Sequence, residues 1–244
     1  MTQLITSEPK GLVTYDGSLP SDGNEDVPPA FPIVSIVQPM SQIPKAVPGW
    51  FYHSDREEQT AEFDGVLLYR KDTRAMFVDG DDRPVCRSND GKVPARNQRL
   101  WTMERFRLNG SDHAVPPVAP SSCANCIFSD WGDGAPPVCG NAYAIIAARN
   151  GDPEDLVQLR LKGTSIKPFR QWVSKTLAPH GLRMYQHQVH LETEEKTVPS
   201  RKWHQLVVSS QAIEDMDLVL TYAEILGQHQ DRIAEAIADD LPFE

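Results

Sequence analysis

Residues 163–172 read GTSIKPFRQW. Thr164 or Ser165 offers an N-cap oxygen, and Pro168 suits a first turn, where its missing N–H would have no helical acceptor. Ile166, Phe169, Trp172 and Val173 then share one face of a helix running to about Leu177. His180 and Gly181 end it. On its N-terminal side, residues 142–149 and 156–161 read as a hairpin across residues 150–153, NGDP. On its C-terminal side, residues 184–192 and 203–208 read as two more strands, joined by a polar loop over residues 193–201.

Further upstream, residues 32–37 form the first strand-like run. Residues 63–70 and 75–78 are two β-rich runs, with Lys71, Asp72, Thr73 and Arg74 expected as a short hairpin turn between them. Strands, then a helix, then a final hairpin is the order of an OB-fold barrel. The expected fold class is therefore mainly β (α+β), an OB-fold-like barrel with an insertion and a C-terminal helix. The barrel domain covers residues 32–209, preceded by a flexible arm over residues 1–31 that is rich in Pro, Gly, Ser, Asp and Glu. Ser209 or Ser210 opens a last helix over residues 210–238. Its stripe is Ile213, Met216, Leu220, Ala223, Leu226, Ile233 and Ile237. That stripe could zip to a second copy or to another protein. An acidic tip, residues 239–244, closes the chain.

Net charge is −10, which at first argues against a polyanionic partner. The charge is uneven, however. Residues 1–43 carry −4 and residues 207–244 carry −8, whereas residues 44–206 carry +2. Local fields govern docking more than the total does. No run of about 18 apolar residues suggests a membrane helix. The start, MTQLITSEPK, lacks the basic end and apolar stretch of a signal peptide. The expected setting is a reducing cytoplasm, where stable disulfides are rare.

Residues 88–140 look irregular throughout, and so long a loop needs something to order it. The four cysteines supply a candidate, spaced Cys86-x36-Cys123-x2-Cys126-x12-Cys139. A Cys-x2-Cys pair turns two thiolates towards one ion, and zinc takes four such ligands in a tetrahedron. One structural Zn2+ within an insertion over residues 86–140 is expected. Two disulfides, unrelated buried thiols, or His113 replacing Cys86 are the competing readings. Four thiolates leave no open position for chemistry. The only His-x-Glu run, His190-Leu191-Glu192, follows Cys123-x2-Cys126 instead of preceding it as in zinc deaminases. HExxH, GxSxG and GxxxxGK[ST] runs are missing. No enzymatic activity is expected.

Basic and aromatic residues alternate in three places. Lys92, Arg96, Arg99, Arg105 and Arg107 surround Trp101. Tyr69, Arg70, Lys71 and Arg74 sit on the first expected hairpin, and Arg201, Lys202 and Trp203 lead into the last strand. Aromatic stacking combined with phosphate contacts is how single strands are gripped without sequence preference. The three groups are expected to converge on one barrel face.

The chain ends Asp239-Asp240-Leu241-Pro242-Phe243-Glu244. Residues Asp239 to Phe243 resemble the tail of bacterial single-stranded DNA-binding proteins: acidic residues, then an apolar residue, proline and phenylalanine. In that family the tip recruits replication and repair enzymes and competes with DNA for the groove. The family ends on phenylalanine, whereas Glu244 follows here. The whole chain is similar to phage-encoded single-stranded DNA-binding proteins, some of which carry a zinc-bearing insertion, and residues 163–172 resemble their barrel helix. The resemblance implies binding and protection of single-stranded DNA during replication or recombination, inside a bacterial host cell. The runner-up is a zinc-stabilised adaptor that binds protein and no nucleic acid.

Overall fold

A computed structural model describes residues 31–239, except 40, 42, 44, 80–83, 89, 95–97, 109, 130–136 and 200, with side chains in the last helix to Gln228. The strands are β1 (Ile33–Ile36), β2 (Phe51–His53), β3 (Glu58–Thr60), β4 (Phe63–Met76), β5 (Cys86–Ser88), β6 (Arg105–Leu108), β7 (Ser111–Ala114), β8 (Gly140–Arg149), β9 (Leu156–Lys162), β10 (His187–Val198) and β11 (Arg201–Ala212). The helices are α1 (Ile166–Trp172) and α2 (Met216–Asp239), with short 3-10 and π turns between elements. Among the described residues, nine strands form one mainly antiparallel sheet, ordered β11-β10-β4-β8-β9-β1-β2-β3 with β5 added beside β4. β6 and β7 form a separate hairpin. No helix among the described residues is long and apolar enough to cross a membrane.

The central strand is β4. It runs unbroken through Lys71–Arg74, so the expected hairpin turn there is overturned. Those four residues are polar, yet none is the Gly or Asn that a tight turn favours. Their backbone pairs instead with β8, from Lys71 opposite Ala144 to Arg74 opposite Asn141. A register shift between Leu67 and Tyr69 inserts one residue, and such bulges bend a strand. The bent β4 has β10 beside its start, Leu191 opposite Phe63, and β5 beside its end, Cys86 opposite Met76.

The hairpin of β8 and β9 forms as expected. Asn150 and Gly151 take φ of 55° and 74°, the left-handed conformation that Asn and Gly tolerate best. The barrel helix also forms: α1 continues through a π turn, Val173–Leu177, and a 3-10 turn, Ala178–His180, until Gly181 adopts φ 64° and stops it. Ile166, Phe169 and Trp172 are buried with Phe51, Phe63, Leu67, Ile145, Leu159, Leu191 and Leu206 in the interior of the curled sheet.

The curl brings the loop between β1 and β2 onto β11. Gln38 and His204 exchange two hydrogen bonds of 3.1 Å, and Thr193 Oγ1 donates to Gly49 O at 2.6 Å. Gly49 sits at φ 91°, and a Cβ there would lie 2.4 Å from His204 Nδ1, so only glycine allows this approach.

Three further expectations are corrected. Residues 193–198 are strand instead of loop: β10 and β11 pair from His187 opposite Ala212 to Val198 opposite Arg201, forming a long ribbon. Residues 184–186 are a 3-10 turn, so β10 begins at His187. Ser209 and Ser210 lie in β11, and the last helix begins at Met216, where Asp215 Oδ1 accepts from the N–H groups of Asp217 and Leu218. The expected stripe is therefore displaced in part. Val219 and Tyr222 are buried and Ile213 and Leu226 pack beside Tyr222, whereas Met216 and Leu220 are exposed; the side chains of Ile233 and Ile237 lie outside the described residues. Tyr222 packs on Val66, Leu68, Ala144, Ile146 and Ala148, on the outer face of the sheet, and its hydroxyl donates to Gly151 O at 2.6 Å. Phe31, the last residue of the expected arm, is buried in the same cluster.

Candidate metal centre and nucleic-acid surface

The segment between β4 and β8 builds a second, smaller core. The expected irregular stretch contains the hairpin of β6 and β7 and three 3-10 turns, Arg99–Thr102, Cys123–Asn125 and Ile127–Ser129. Met76, Val78, Val85, Cys86, Leu100, Phe106, Cys126, Phe128 and Cys139 pack together there. Cys86 opens β5, Cys123 and Cys126 bracket a 3-10 turn, and Cys139 immediately precedes β8. Short hydrogen bonds fix these positions: Cys123 N to Lys92 O and Cys139 N to Phe128 O, both 2.7 Å. The Ser129 hydroxyl lies 2.6 Å and 2.7 Å from the carbonyl oxygens of Cys123 and Cys126.

All four cysteines are buried and none forms a disulfide. Burial, and then the negative charge each thiolate imposes on the next, pushes the thiols of Cys86 and Cys139 up to about 12. Burial raises Cys126 as well. The surroundings of Cys86 include the other three cysteines, whereas His113 stacks on the Phe106 ring at 5.2 Å. A dication would reverse this repulsion by stabilising the thiolates. Among the described residues, no three cysteine sulfurs lie within 4.8 Å of one another. Tetrahedral zinc needs sulfurs about 3.8 Å apart, so the set must draw inward to close on an ion. One observation of fit is independent of the donors. The positive charge of Arg74 acts on the Cys139 thiol, and its Nε and Nη1 are sealed from solvent with no acceptor.

The basic residues divide by location. Lys92 and Arg99 are exposed on the small core, and Arg105 and Arg107 are exposed on β6 on either side of buried Phe106. Trp101 is half-buried, with its ring 6.4 Å from Phe128, so it packs within the small core. Arg96 lies outside the described residues. On β4, Tyr69 and Lys71 face outward opposite Ile146 and Ala144. Arg70 lies over the Tyr143 ring at 4.8 Å and pairs with Asp72 at 3.2 Å. A cleft of about 580 Å³ opens here, lined by Tyr69, Arg70, Leu177, Arg183, Tyr185 and Leu226 among others. On the ribbon, Arg201 covers the Trp203 ring at 5.1 Å, Lys196 stands opposite Trp203, and Lys202 pairs with Glu195 at 3.2 Å.

The expected convergence of the three groups on one face is not seen. The ribbon runs past the start of β4, whereas the cysteine module joins at its end. A strand of fourteen residues spans up to about 45 Å. Asp240, Leu241, Pro242 and Phe243 of the tip lie outside the described residues, as does the side chain of Asp239.

Two features escaped the sequence reading. Trp50 is 39% exposed beside the ribbon, and its signal was a lone tryptophan after Pro48-Gly49. Glu62, Asp64 and His190 place their ligand atoms within 4.8 Å of one another at the surface. His190 Nδ1 lies 2.9 Å from Asp64 Oδ1, and that bond raises the imidazole above its ordinary value. The signal was Glu62 and Asp64 two apart on one strand face, but their partner is 126 residues away. Comparison with protein-family models, curated proteins and solved structures finds no match.

Proposed function

We propose that this chain binds single-stranded DNA without strong sequence preference, through an OB-type barrel whose first connection is clamped by one structural zinc ion. The observation that carries the reading is the connectivity around β4. This first long strand pairs with both the second, β8, and the fourth, β10, and α1 lies between the third, β9, and the fourth. That connectivity supports an OB-type reading, and in OB barrels the first and last connections serve oligonucleotide binding. Here the first connection is the cysteine module bearing Lys92, Arg99, Arg105 and Arg107, and the last is the ribbon bearing Lys196, Arg201 and Trp203. The cleft beside Tyr69, Arg70, Arg183 and Tyr185 offers an aromatic and cationic site between them.

Cys86, Cys123, Cys126 and Cys139 hold the zinc in this reading, and its chemistry is structural: it neutralises buried thiolates and orders the module. The tip, Asp239 to Phe243, recruits replication or recombination proteins. Titration of the tryptophan fluorescence with oligo-dT tests the proposal. Quenching at about 50 mM salt that weakens steeply as salt rises is the expected result. Absence of any change at low salt, with zinc bound, rules the reading out. A protein-binding adaptor is the second reading, favoured by Met216 and Leu220 exposed on α2. It predicts no gel shift with oligo-dT.

A further inference from the structure

We propose that Arg74 is the counter-charge of the cysteine centre, locking the module to the central strand of the barrel, and is not a DNA contact. This rests on the reading of the four cysteines as metal ligands.

The strand geometry places it there. Arg74 stands opposite Ser88 of β5 on one side and Asn141 of β8 on the other. Met76 stands opposite Cys86. Alternate residues of a strand share a face, and directly opposed residues of paired strands share it too. Arg74 and Met76 therefore lie on the same face as Cys86 and Ser88. Cys139, two residues before Asn141, continues that face from β8. Arg74 thus sits on the one strand flanked by both flanking ligands. From that face its positive charge acts on both Cys139 and Cys126.

Two donors remain. Nε and Nη1 of Arg74 are buried with no acceptor among the described residues. The neighbouring carboxylates are engaged elsewhere: Asp72 with Arg70 at 3.2 Å, and Asp90 with Ser88 and the N–H groups of Lys92 and Val93. Buried guanidinium N–H groups are costly to leave unmatched, and a rigid fork of donors suits negatively charged acceptors. Four thiolates around one Zn2+ leave two net negative charges. Metal loading would therefore convert the sulfurs into the acceptors these donors lack, while Arg74 offsets part of the remaining charge. Groups of this kind outside the ligand set tune affinity by about 10–100-fold.

The test uses purified full-length protein without DNA. Zinc affinity is measured by competition with a chromophoric chelator for wild type, Arg74→Gln, Arg74→Lys and, as a surface control, Lys175→Gln. The charge-transfer bands of the Co2+-loaded forms are recorded in parallel. Arg74→Gln is expected to weaken zinc binding by about 10–100-fold and to shift the thiolate-to-cobalt bands. Arg74→Lys should fall between it and wild type, and Lys175→Gln should match wild type. Equal zinc affinity and unchanged bands in Arg74→Gln overturn the proposal, and are what a DNA-contacting role would give. If Arg74→Gln does not fold, wild-type zinc affinity in Arg74→Lys overturns the guanidinium assignment. A wild-type protein that binds neither metal overturns the metal reading itself, and this proposal with it.

Discussion

The guanidinium of Arg149, at the end of β8, holds the carboxylate of Asp55 with two hydrogen bonds of 2.8 and 3.3 Å. The same group binds Asp155 at 2.7 and 2.8 Å and lies 3.1 Å from His53 Nδ1. Arg149 is only 3% exposed, so the turn after β2 and the turn between β8 and β9 are pinned through one buried cation. Replacing it by methionine removes the buried cation and leaves Asp55 and Asp155 with only the exposed Arg56, 3.5 and 3.1 Å away. The expected loss is about 1.5–3 kcal/mol, the range for hydrogen bonds to charged groups. Urea unfolding followed by far-UV circular dichroism measures it.

The same network sets an acid limit. Hydrogen bonding to Arg149 holds Asp55 below its ordinary carboxylate value of 3.8. A depressed carboxylate contributes stability that is present above the unfolded value and is lost as pH falls through the folded one. Burial, then the Arg149 charge, also lowers His53 below 6.5, and burial lowers His187. The unfolded chain takes up those histidine protons first. Stability should therefore decline in two stages, beginning below about pH 6.5 for the histidines and below about pH 4 for Asp55. Melting temperatures measured from pH 8 to pH 3 check this, and His53→Gln should remove part of the first stage.

His190 moves in the opposite direction, because Asp64 raises it. In NMR titrations its ring should titrate above 6.5 in wild type and near that value in Asp64→Asn. The stability this pair contributes is present at low pH and fades as pH rises through the folded value. A His190 titration that is identical in the two proteins would refute the coupling.

On the zinc reading, chelation should loosen the module and spare the large core, since the two cores share no side chain among the described residues. Hydrogen exchange after metal removal is expected to accelerate over residues 86–139 and to stay slow in β8, β9 and β10. Cys126→Ser should reproduce the effect. Uniform acceleration across the whole chain would show that the module is not a separate unit.

On the DNA reading, Arg105→Ala and Arg107→Ala should each reduce oligo-dT affinity and lower the steepness of its dependence on salt by about 0.7. Trp203→Ala should cost about 1–3 kcal/mol of binding if a base stacks there. Isothermal titration at several salt concentrations separates the two effects.

Local chemistry was legible wherever the deciding residues are neighbours in the chain. Asn150-Gly151 made the β8–β9 turn readable, because both tolerate positive φ. Ile166, Phe169 and Trp172 marked the buried face of α1 from their spacing alone. The cysteine spacing pointed to one centre, and the structure packs Cys86, Cys126 and Cys139 into one small core, with Cys123 in electrostatic reach of Cys86, without closing three sulfurs to within 4.8 Å. Other features depended on distant partners. Lys71–Arg74 and residues 193–198 are polar yet lie within paired strands, and polarity alone does not distinguish such a strand from a turn. The start of α2 was misplaced because β11 continues through Ser209 and Ser210, held by pairing with β10.

By itself the sequence determined a mainly β chain with one helix among its long strands, a terminal helix and four cysteines on one stretch of chain. Only the tertiary structure decided that β4 is a single bent strand, that α2 lies over the outer face of its own sheet, and that Arg74 shares a strand face with Cys86. The physical reason is the same in each case. A strand's backbone is satisfied, and a side chain's face chosen, by partners tens of residues away, and those partners exist only once the sheet has formed.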